Sequence, residues 1–306
     1  MWRRWRQSVR EWAYRGHRQA PPVRIGVALG GGFARVMTHV GVLEVLEENH
    51  IPVYAITGIS SGAIIAATYA AGSTIEAIKS TGAVTTFSSY ARWTLSKLGL
   101  AVNDRMTTYL QKILLHRRFE NMRMPLGVVA TDLTTGQPVL FHGSGDVIDP
   151  IRATCAYPGL FLPVEIGGRW LVDGGISLNV PVEAAAELGA THVLAVYLRT
   201  APDDGPPGNI FQLVSRCFAI MQDRLGMDWE RLPHLVLEPD VTSFAWDDFD
   251  RVPEMVEAGR QAALAALPQI RGWLAQPAPS RSRRGVDVPL TPPSKSPAAS
   301  VPTVGS

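Results

Sequence analysis

The sequence predicts an α/β fold, a three-layer sandwich with a mainly parallel sheet and helices on both of its faces. Short apolar runs alternate with segments of helical spacing along most of the chain, which is the pattern of such a fold. Two of the apolar runs end in glycine-rich junctions that lead into helical segments. With 306 residues, 46% hydrophobic and 18% charged, the chain has enough material for a large core, and wholesale disorder is excluded.

The first elements form two strand–helix pairs. Val23–Leu29 is an apolar run ending in glycines, which is typical of a buried strand, and Val40–Glu48 has apolar residues at helical spacing. Val53–Thr57 repeats the strand pattern, and Ala63–Ala71 predicts a helix rich in small residues. Residues 75–115 are then predicted to be mainly helical, with one apolar face formed by Met106, Leu110, Ile113 and Leu114.

The second half continues the alternation around the turn at Thr135-Gly136. Alternating apolar residues predict strands and helical spacing predicts helices. In order, the predicted elements are strand Leu126–Ala130, strand Val139–His142, helix Ile148–Ala156, strand Trp170–Val172, helix Val182–Leu188, strand His192–Leu198, helix 209–231, strand Leu235–Leu237 and helix 252–274.

The net charge of +2 is unevenly distributed. Residues 1–20 hold six arginines and one glutamate, and the Pro/Ser-rich residues 277–306 hold four bases and one acid, which leaves −6 for residues 21–276. We therefore expect a basic N-terminal segment, one domain over 21–276 and a disordered tail. A mildly acidic domain is not expected to bind nucleic acid.

The N-terminal segment combines its positive charge with an aromatic stripe. Trp2, Trp5, Val9 and Trp12 recur every three or four residues, so a helix here would carry them on one face. A basic helix of this kind predicts peripheral contact with an anionic membrane, and the alternative is a helix whose stripe packs on the core.

The two cysteines, Cys155 and Cys217, do not form a disulfide framework or a metal-ligand pattern. We therefore expect no metal and no cofactor. Arginine and tryptophan alternate where a secretory signal would be apolar, and no apolar run reaches the length of a membrane span. The expected location is the cytoplasm, and the alternative is peripheral attachment to the inner membrane face.

The first chemical signal is Gly58-Ile59-Ser60-Ser61-Gly62, between a predicted strand and a predicted helix. A serine on such a turn is held in a strained conformation with its hydroxyl exposed, and flanking Gly58 and Gly62 allow close backbone approach. The start of the helix also favours a developing negative charge. Ser60 is therefore a candidate nucleophile, and the alternative is a glycine-rich turn with a capping serine.

The second signal is the glycine loop Leu29-Gly30-Gly31-Gly32-Phe33-Ala34-Arg35, also between a strand and a helix. Consecutive glycines leave backbone N–H groups accessible to an anion. The lysine and serine or threonine of a phosphate-binding loop are absent, and Arg35 stands where a dinucleotide-binding loop needs its last glycine. An oxyanion hole is therefore favoured over a nucleotide site.

The third signal is Asp173-Gly174-Gly175, directly after the predicted strand Trp170–Val172. A carboxylate there would point into a site at the carboxyl edge of the sheet, although Asp-Gly is also a common turn dipeptide. A Ser-His-Asp triad would need a histidine after Asp173. His192 and His234 are eligible by order, but neither lies in an obvious catalytic loop.

Together, these signals resemble the patatin-like phospholipase family, in particular its bacterial branch related to the esterase domain of neuropathy target esterase. The resemblance runs from about Val23 to Leu198 and extends beyond the three signals. Further matching segments are Thr38–Leu43, Ala130–Leu133, Arg152-Ala153, Ala156–Gly159 and Asn179–Val182.

The resemblance implies a serine acyl-hydrolase of lipid esters (phospholipid, lysophospholipid or fatty-acyl ester) with a Ser60–Asp173 dyad. The backbone at Gly31, Gly32 and Phe33 would form the oxyanion hole, with Arg35 stiffening the loop or adding positive charge. The supporting glycines would be Gly30, Gly58, Gly62, Gly174 and Gly175.

The glycine loop departs from the family pattern at two positions. Phe33 stands where a small residue is usual, and Val36 replaces the closing glycine. Phe33 would narrow the entrance for the acyl chain or simply pack. The departures also leave a non-catalytic lipid-binding or regulatory protein as an alternative, beside the Ser-His-Asp esterase.

Overall fold

The computed structural model describes residues 22–94, 96–199, 205–224 and 234–275. The predicted segments 1–20 and 277–306 lie outside these residues. The strands are β1 Ile25–Leu29, β2 Val53–Gly58, β3 Arg92–Trp93, β4 Gly99–Val102, β5 Leu126–Asp132, β6 Pro138–His142, β7 Gly159–Phe161, β8 Val164–Ile166, β9 Arg169–Val172, β10 His192–Val196 and β11 His234–Leu237. The helices are α1 Met37–Glu48, α2 Ser60–Ala70, α3 Ile75–Ala83, α4 Phe87–Tyr90, α5 Asp104–Ile113, α6 Ile148–Thr154, α7 Val182–Glu187, α8 Ile210–Arg224 and α9 Val252–Ala275. Short 3₁₀ helices cover Phe33–Val36, Phe119–Asn121 and Gly174–Ile176.

The central sheet confirms the predicted α/β class. Its strand order is β11-β10-β1-β2-β5-β9-β8, and β6 pairs with β5. The run from β11 to β5 is parallel, whereas β6, β9 and β8 are added in antiparallel pairs. The sheet is therefore mainly parallel, with an antiparallel region at one end.

The two faces of the sheet are covered by different helices. Along β1, Val27 and Leu29 face a large apolar cluster that includes α1, α2 and α9, whereas Ala28 faces a second cluster that includes α7. Because successive strand residues point to opposite faces, this alternation produces the predicted three layers. In the part of the chain that is described, no helix is both long and apolar enough to span a bilayer.

The prediction that residues 75–115 are mainly helical is wrong in the middle of that segment. Helices α3, α4 and α5 form, but β3 and β4 lie between α4 and α5 and build a small sheet with β7. Helical spacing cannot reveal this pairing, because β7 lies about 60 residues further along the chain. The apolar face of α5 is confirmed: Met106 and Leu110 are buried.

Strands β2 and β9 meet end to end along one edge of β5. Gly58 at the end of β2 is in register with Val128, and Val172 at the end of β9 is in register with Thr131. The other edge of β5 is occupied by β6. Because β2 is parallel and β9 antiparallel to β5, the residues that follow these two strands approach each other from opposite directions.

Candidate active site

Ser60 is the first residue of α2, directly after β2 and Ile59. Its φ is +50°, a left-handed conformation that side chains rarely adopt, so the sharp turn is strained. The flanking glycines make the turn possible. A Cβ on Gly58 would lie 2.6 Å from the Cα of Ala63, and a Cβ on Gly62 would overlap the carbonyl oxygen of Gly30.

Asp173 follows β9 and is 1% exposed. Its Oδ1 accepts the N–H of Gly175 at 2.8 Å, whereas its Oδ2 is buried without a regular hydrogen-bond partner among the described residues. Burial raises the pKa of the Asp173 carboxyl to about 7, and the Ser60 hydroxyl and the Gly175 N–H act in the opposite direction. The carboxyl therefore interacts with Ser60 and can hold or release a proton near neutral pH.

Gly174 packs the loop after Asp173 against the serine turn. A Cβ on Gly174 would overlap the carbonyl oxygen of Val129 and would lie 2.9 Å from Cγ2 of Ile59. Only glycine fits between β5 and the residue that precedes Ser60. The loop after Asp173 and the turn at Ser60, which are far apart in the sequence, are thus held in direct contact.

The glycine loop lies beside Ser60. A Cβ on Gly31 would be 2.9 Å from the Cβ of Ser60 and 3.4 Å from its Oγ. The N–H groups at the two ends of the loop already form hydrogen bonds. Gly30 donates to the carbonyl of Val196 at 3.0 Å, and Ala34 donates to the carbonyl of Trp246 at 3.0 Å.

The N–H groups between those two, of Gly31, Gly32 and Phe33, have no acceptor among the described residues. Three consecutive donors next to a hydroxyl are the arrangement that stabilises an oxyanion formed there. The predicted loop thus presents three N–H donors beside the Ser60 hydroxyl.

Phe33 adopts a φ of +52° and directs its ring between two aromatic side chains. The ring contacts Tyr157 and Trp246 edge-on, with centroid distances of 5.3 and 5.2 Å. Such edge-on pairs contribute about 0.5–1.5 kcal/mol each beyond burial. Phe33 thus packs, as one of the two predicted roles states, and the packing offsets strain in the loop.

Arg35 and Val36 complete the 3₁₀ helix that follows the glycines. Arg35 lines the same cleft as Ser60 and Asp173, and its positive charge opposes the rise that burial causes in the pKa of Tyr157. Val36 is buried.

The buried His39 supports the loop from beneath. Its Nε2 lies 2.8 Å from the carbonyl oxygen of Gly30, and burial lowers the pKa of the imidazole to about 4. The ring is therefore neutral near pH 7 and donates to Gly30, which agrees with a packed rather than a proton-transferring histidine.

His192 and His234 lie at the amino ends of the parallel strands, whereas Ser60 lies beyond the carboxyl ends. His192 starts β10 in register with Ile25, whereas Ser60 follows the opposite end of the neighbouring strands. Four residues at about 3.3 Å each separate those ends by about 13 Å. His234 starts β11 beside Val193 at the same distant edge. Neither histidine reaches Ser60, so the geometry opposes the triad alternative.

Thr154 is a supporting residue that the sequence signals do not identify. Its buried Oγ1 accepts the N–H of Ser60 at 2.9 Å and donates to the carbonyl oxygen of Val129. The hydroxyl thus ties the serine turn to the central strand β5. Its position directly after the matching pair Arg152-Ala153 is the signal that could have found it.

Two cavities meet at Ser60, Phe33 and Tyr157. The first, which we call the apolar cavity, extends between α2, α3 and α5 and comprises about 790 Å³ of empty space, part of which is open to solvent. The second, the polar cleft, comprises about 1150 Å³ of empty space, also partly open to solvent, and contains Asp173 and the glycine loop. Helix α8 adds polar side chains to this cleft, namely Gln212, Ser215, Arg216 and Gln222.

These α8 residues are a second set that the sequence signals miss, since the predicted helix 209–231 carries no motif. Helix α8 covers 210–224 of that segment, and residues 225–233 lie outside the described ranges. Within the described ranges, no group of three histidine, cysteine, aspartate or glutamate side chains could hold a metal ion.

Comparison with known proteins gives the chain's relatives. The model of the patatin-like phospholipases matches residues 27–186. An uncharacterized NTE family protein of Mycobacterium tuberculosis is 28% identical over 274 residues, which cover 79% of this chain and 46% of that protein. The lysophospholipase NTE1 of Cryptococcus neoformans is 28% identical over 191 residues, covering 60% of this chain and 12% of that enzyme.

The chain spans about half the length of the mycobacterial relatives it matches. Among solved structures, VipD from Legionella pneumophila has a TM-score of 0.51 at 14% identity, covering 82% of this chain and 68% of that one, and it supports the fold alone. The family match covers more than half of the chain and includes the glycine loop, Ser60 and Asp173. The chain therefore belongs to the patatin-like phospholipase family, a family of lipid ester hydrolases.

Proposed function

We propose that this protein is a serine acyl-hydrolase that cleaves lipid esters with Ser60 as nucleophile and Asp173 as its base. One observation carries the proposal. The Asp173 carboxyl interacts with the Ser60 hydroxyl, and its buried Oδ2 has no hydrogen bond of ordinary geometry among the described residues. Three N–H groups without acceptors among the described residues lie beside that hydroxyl. A nucleophile, a base and oxyanion donors are the parts that acyl transfer requires.

In the first half of the reaction, Ser60 Oγ attacks the ester carbonyl carbon while its proton passes to Oδ2 of Asp173. The carbonyl oxygen becomes an oxyanion that accepts N–H bonds from Gly31, Gly32 and Phe33. When the intermediate collapses, Asp173 returns the proton to the leaving alcohol oxygen. The acyl group then remains as an ester on Ser60.

In the second half, Asp173 takes a proton from a water molecule, whose oxygen attacks the acyl-Ser60 carbonyl. Collapse of this second intermediate breaks the bond to Ser60 Oγ, which regains the proton from Asp173, and the fatty acid leaves. The pKa of about 7 suits this cycle, because the carboxyl must accept and donate a proton in alternate steps.

The two cavities suggest how a lipid ester is seated. The apolar cavity, lined by side chains such as Ile64, Ile65 and Met106, would hold the acyl chain. The polar cleft, with Arg35 and Arg216, would hold the alcohol part and its polar head. This division fits a phospholipid or lysophospholipid, in which one end is apolar and the other polar.

Residues 1–20 are proposed to bring the domain to an anionic membrane surface, since they combine six arginines with an aromatic stripe. No nucleic acid, metal or cofactor is part of the proposal. Deleting residues 1–20 should reduce binding to anionic vesicles while hydrolysis of a water-soluble ester persists. Unchanged vesicle binding would assign the stripe to packing instead.

The proposed chemistry is tested with a short acyl ester and an alkyl fluorophosphonate probe, which labels activated serines. Ser60→Ala should abolish both hydrolysis and labelling, and Asp173→Asn should abolish hydrolysis and slow labelling strongly. Ser61→Ala is the matched control, because Ser61 is the adjacent serine of α2 but does not line the polar cleft that contains Asp173. Persistent hydrolysis in Ser60→Ala or Asp173→Asn would disprove the dyad, and an unlabelled wild-type protein would favour the non-catalytic alternative.

A further inference from the structure

The apolar cavity follows helix α2 away from Ser60. The lining positions on that helix are Ser60, Ser61, Ile64, Ile65 and Thr68, which recur at helical spacing. Eight residues between the first and last of them correspond to about 12 Å along the helix axis. The cavity thus extends well beyond the nucleophile and ends between α3 and α5.

A separate outer cavity, which is open to solvent, lies on the surface at that far end. Its rim includes the exposed residues Arg105, Thr108 and Lys112 of α5. Four residues line both the apolar cavity and the outer cavity, and we call them the back wall. They are Thr81, Thr85, Tyr109 and Ile113.

The back wall is only one side chain thick, because the same residues contact both cavities. A hydrogen bond of 3.0 Å joins the Tyr109 hydroxyl to Oγ1 of Thr85. Thr85 uses its single proton to donate to the carbonyl oxygen of Thr81 at 2.8 Å, so Tyr109 is the donor to Thr85. This bond connects α5 to the end of α3 and closes the gap between them.

Tyr109 is the largest member of the back wall and the one best placed to control it. Its side chain is half-buried, and its ring lies 6.3 Å from that of the buried Tyr90. Burial raises the pKa of its phenol, so the hydroxyl stays protonated and able to donate near neutral pH. The apolar cavity would continue into the outer cavity if this ring were absent.

We propose that the back wall sets the longest acyl chain that the enzyme accepts, with Tyr109 as the specificity-determining residue. The inference rests on the proposed function, in which the carbonyl carbon is held at Ser60 and the chain extends along α2. The methyl end of a chain that fits stops at the Tyr109 ring. A longer chain must either break the Tyr109–Thr85 hydrogen bond or leave part of itself outside the cavity.

The size of the effect follows from apolar burial. Each methylene moved from water into apolar surroundings strengthens binding about fourfold. Opening the wall allows methylenes beyond the present limit to be buried. Two more of them should raise kcat/KM for the longer ester by about 16-fold relative to the shorter one.

The experiment measures kcat/KM for nitrophenyl esters of saturated acids of increasing length. Tyr109→Ala should move the preferred length upward by two or more methylenes, and Tyr109→Phe, which keeps the ring and removes the hydrogen bond, should move it less. Thr108→Ala is the matched control, since Thr108 neighbours Tyr109 on α5 and lines the outer cavity alone. Ile113→Ala removes bulk from the same wall and covers the case in which Tyr109→Ala does not fold.

A binding measurement separates this inference from the proposed chemistry. In a Ser60→Ala background, calorimetric titration with saturated fatty acids reports chain length without turnover. We expect affinity to rise with chain length up to a limit, and we expect this limit to lie at longer acids in Tyr109→Ala. An identical chain-length limit with and without the Tyr109 ring would overturn the role of the back wall, whether or not the protein hydrolyses esters.

Discussion

A Cβ added to Gly31 would lie 2.9 Å from the Cβ of Ser60, so the glycine loop contacts the serine turn directly. Real Cβ atoms essentially never approach so closely, and residue 31 must therefore be glycine for both segments to keep their positions. The contact also fixes the distance between the N–H groups of the loop and the atom that Ser60 would attack.

Gly31→Ala should therefore lower kcat/KM for a short ester by about 100-fold, the effect of losing one oxyanion donor. The methyl group displaces either Ser60 or the loop, and both movements misalign donor and oxyanion. Gly272→Ala in α9 is the control, because no heavy atom lies within 4 Å of the added Cβ. It should leave activity unchanged and raise stability by up to about 1 kcal/mol. Equal activity in the two variants would remove the loop from the mechanism.

The pH dependence of kcat/KM should show an acid limb with a pKa of about 7. Asp173 must be ionised to accept the Ser60 proton, and burial raises the pKa of its carboxyl to about 7. His39 cannot cause such a limb, because its pKa is lowered to about 4. Activity should therefore fall about tenfold per pH unit below pH 6. A rate that stays constant down to pH 5 would contradict Asp173 as the base.

The structure brings the candidate residues Ser60 and Asp173 together, but the sequence did not predict how their strands meet. Asp173 lies beside Ser60 at the carboxyl edge of the parallel strands, where we expected it, but β9 is antiparallel to β5 and reaches Ser60 from the opposite direction. Local patterns give the position of a strand and not its orientation, which depends on pairing with distant residues. Thr154 was missed for the same reason, since it supports the site through hydrogen bonds to Ser60 and Val129 that form only in the folded chain.

Short segments that depend on tertiary pairing were also beyond sequence reasoning. Strands β4 and β7 have only three or four residues each, and each becomes a strand through its partner. Long elements with a clear period, such as α1 and α9, needed no such information. The glycine-rich junctions were found correctly because the constraint that requires glycine is local and visible in the composition.

Asp173→Asn should stabilise the protein more at pH 8 than at pH 5. Burial raises the pKa of the carboxyl from 3.8 to about 7, so the folded state holds this proton more tightly than the unfolded state. The stability that the neutral carboxyl contributes is full below about pH 4 and is lost as the pH rises through 7. Asparagine is neutral throughout, so its advantage should grow by about 2–3 kcal/mol between the two pH values.

Thermal unfolding of both proteins at pH 5 and pH 8 checks this prediction. Asp149→Asn is the control, because that carboxyl is 61% exposed and its charge is already solvated. Its effect should be similar at the two pH values. An Asp173→Asn effect that is independent of pH would show that the carboxyl ionises without penalty, and would weaken its assignment as a base tuned to neutral pH.

Thr154→Val should damage catalysis more than its effect on the fold would suggest. Valine matches the shape of threonine, but it leaves the N–H of Ser60 and the carbonyl of Val129 without the hydroxyl that joins them. An orphaned buried group costs about 1–3 kcal/mol, and Ser60 also loses a contact that holds its φ of +50°. We expect a fall in kcat of at least tenfold with a smaller change in KM, and a lowered Tm. Thr154→Ser, which keeps the hydroxyl, should recover most of the lost kcat. If valine supported wild-type turnover, the strained serine turn would be maintained by its glycines alone.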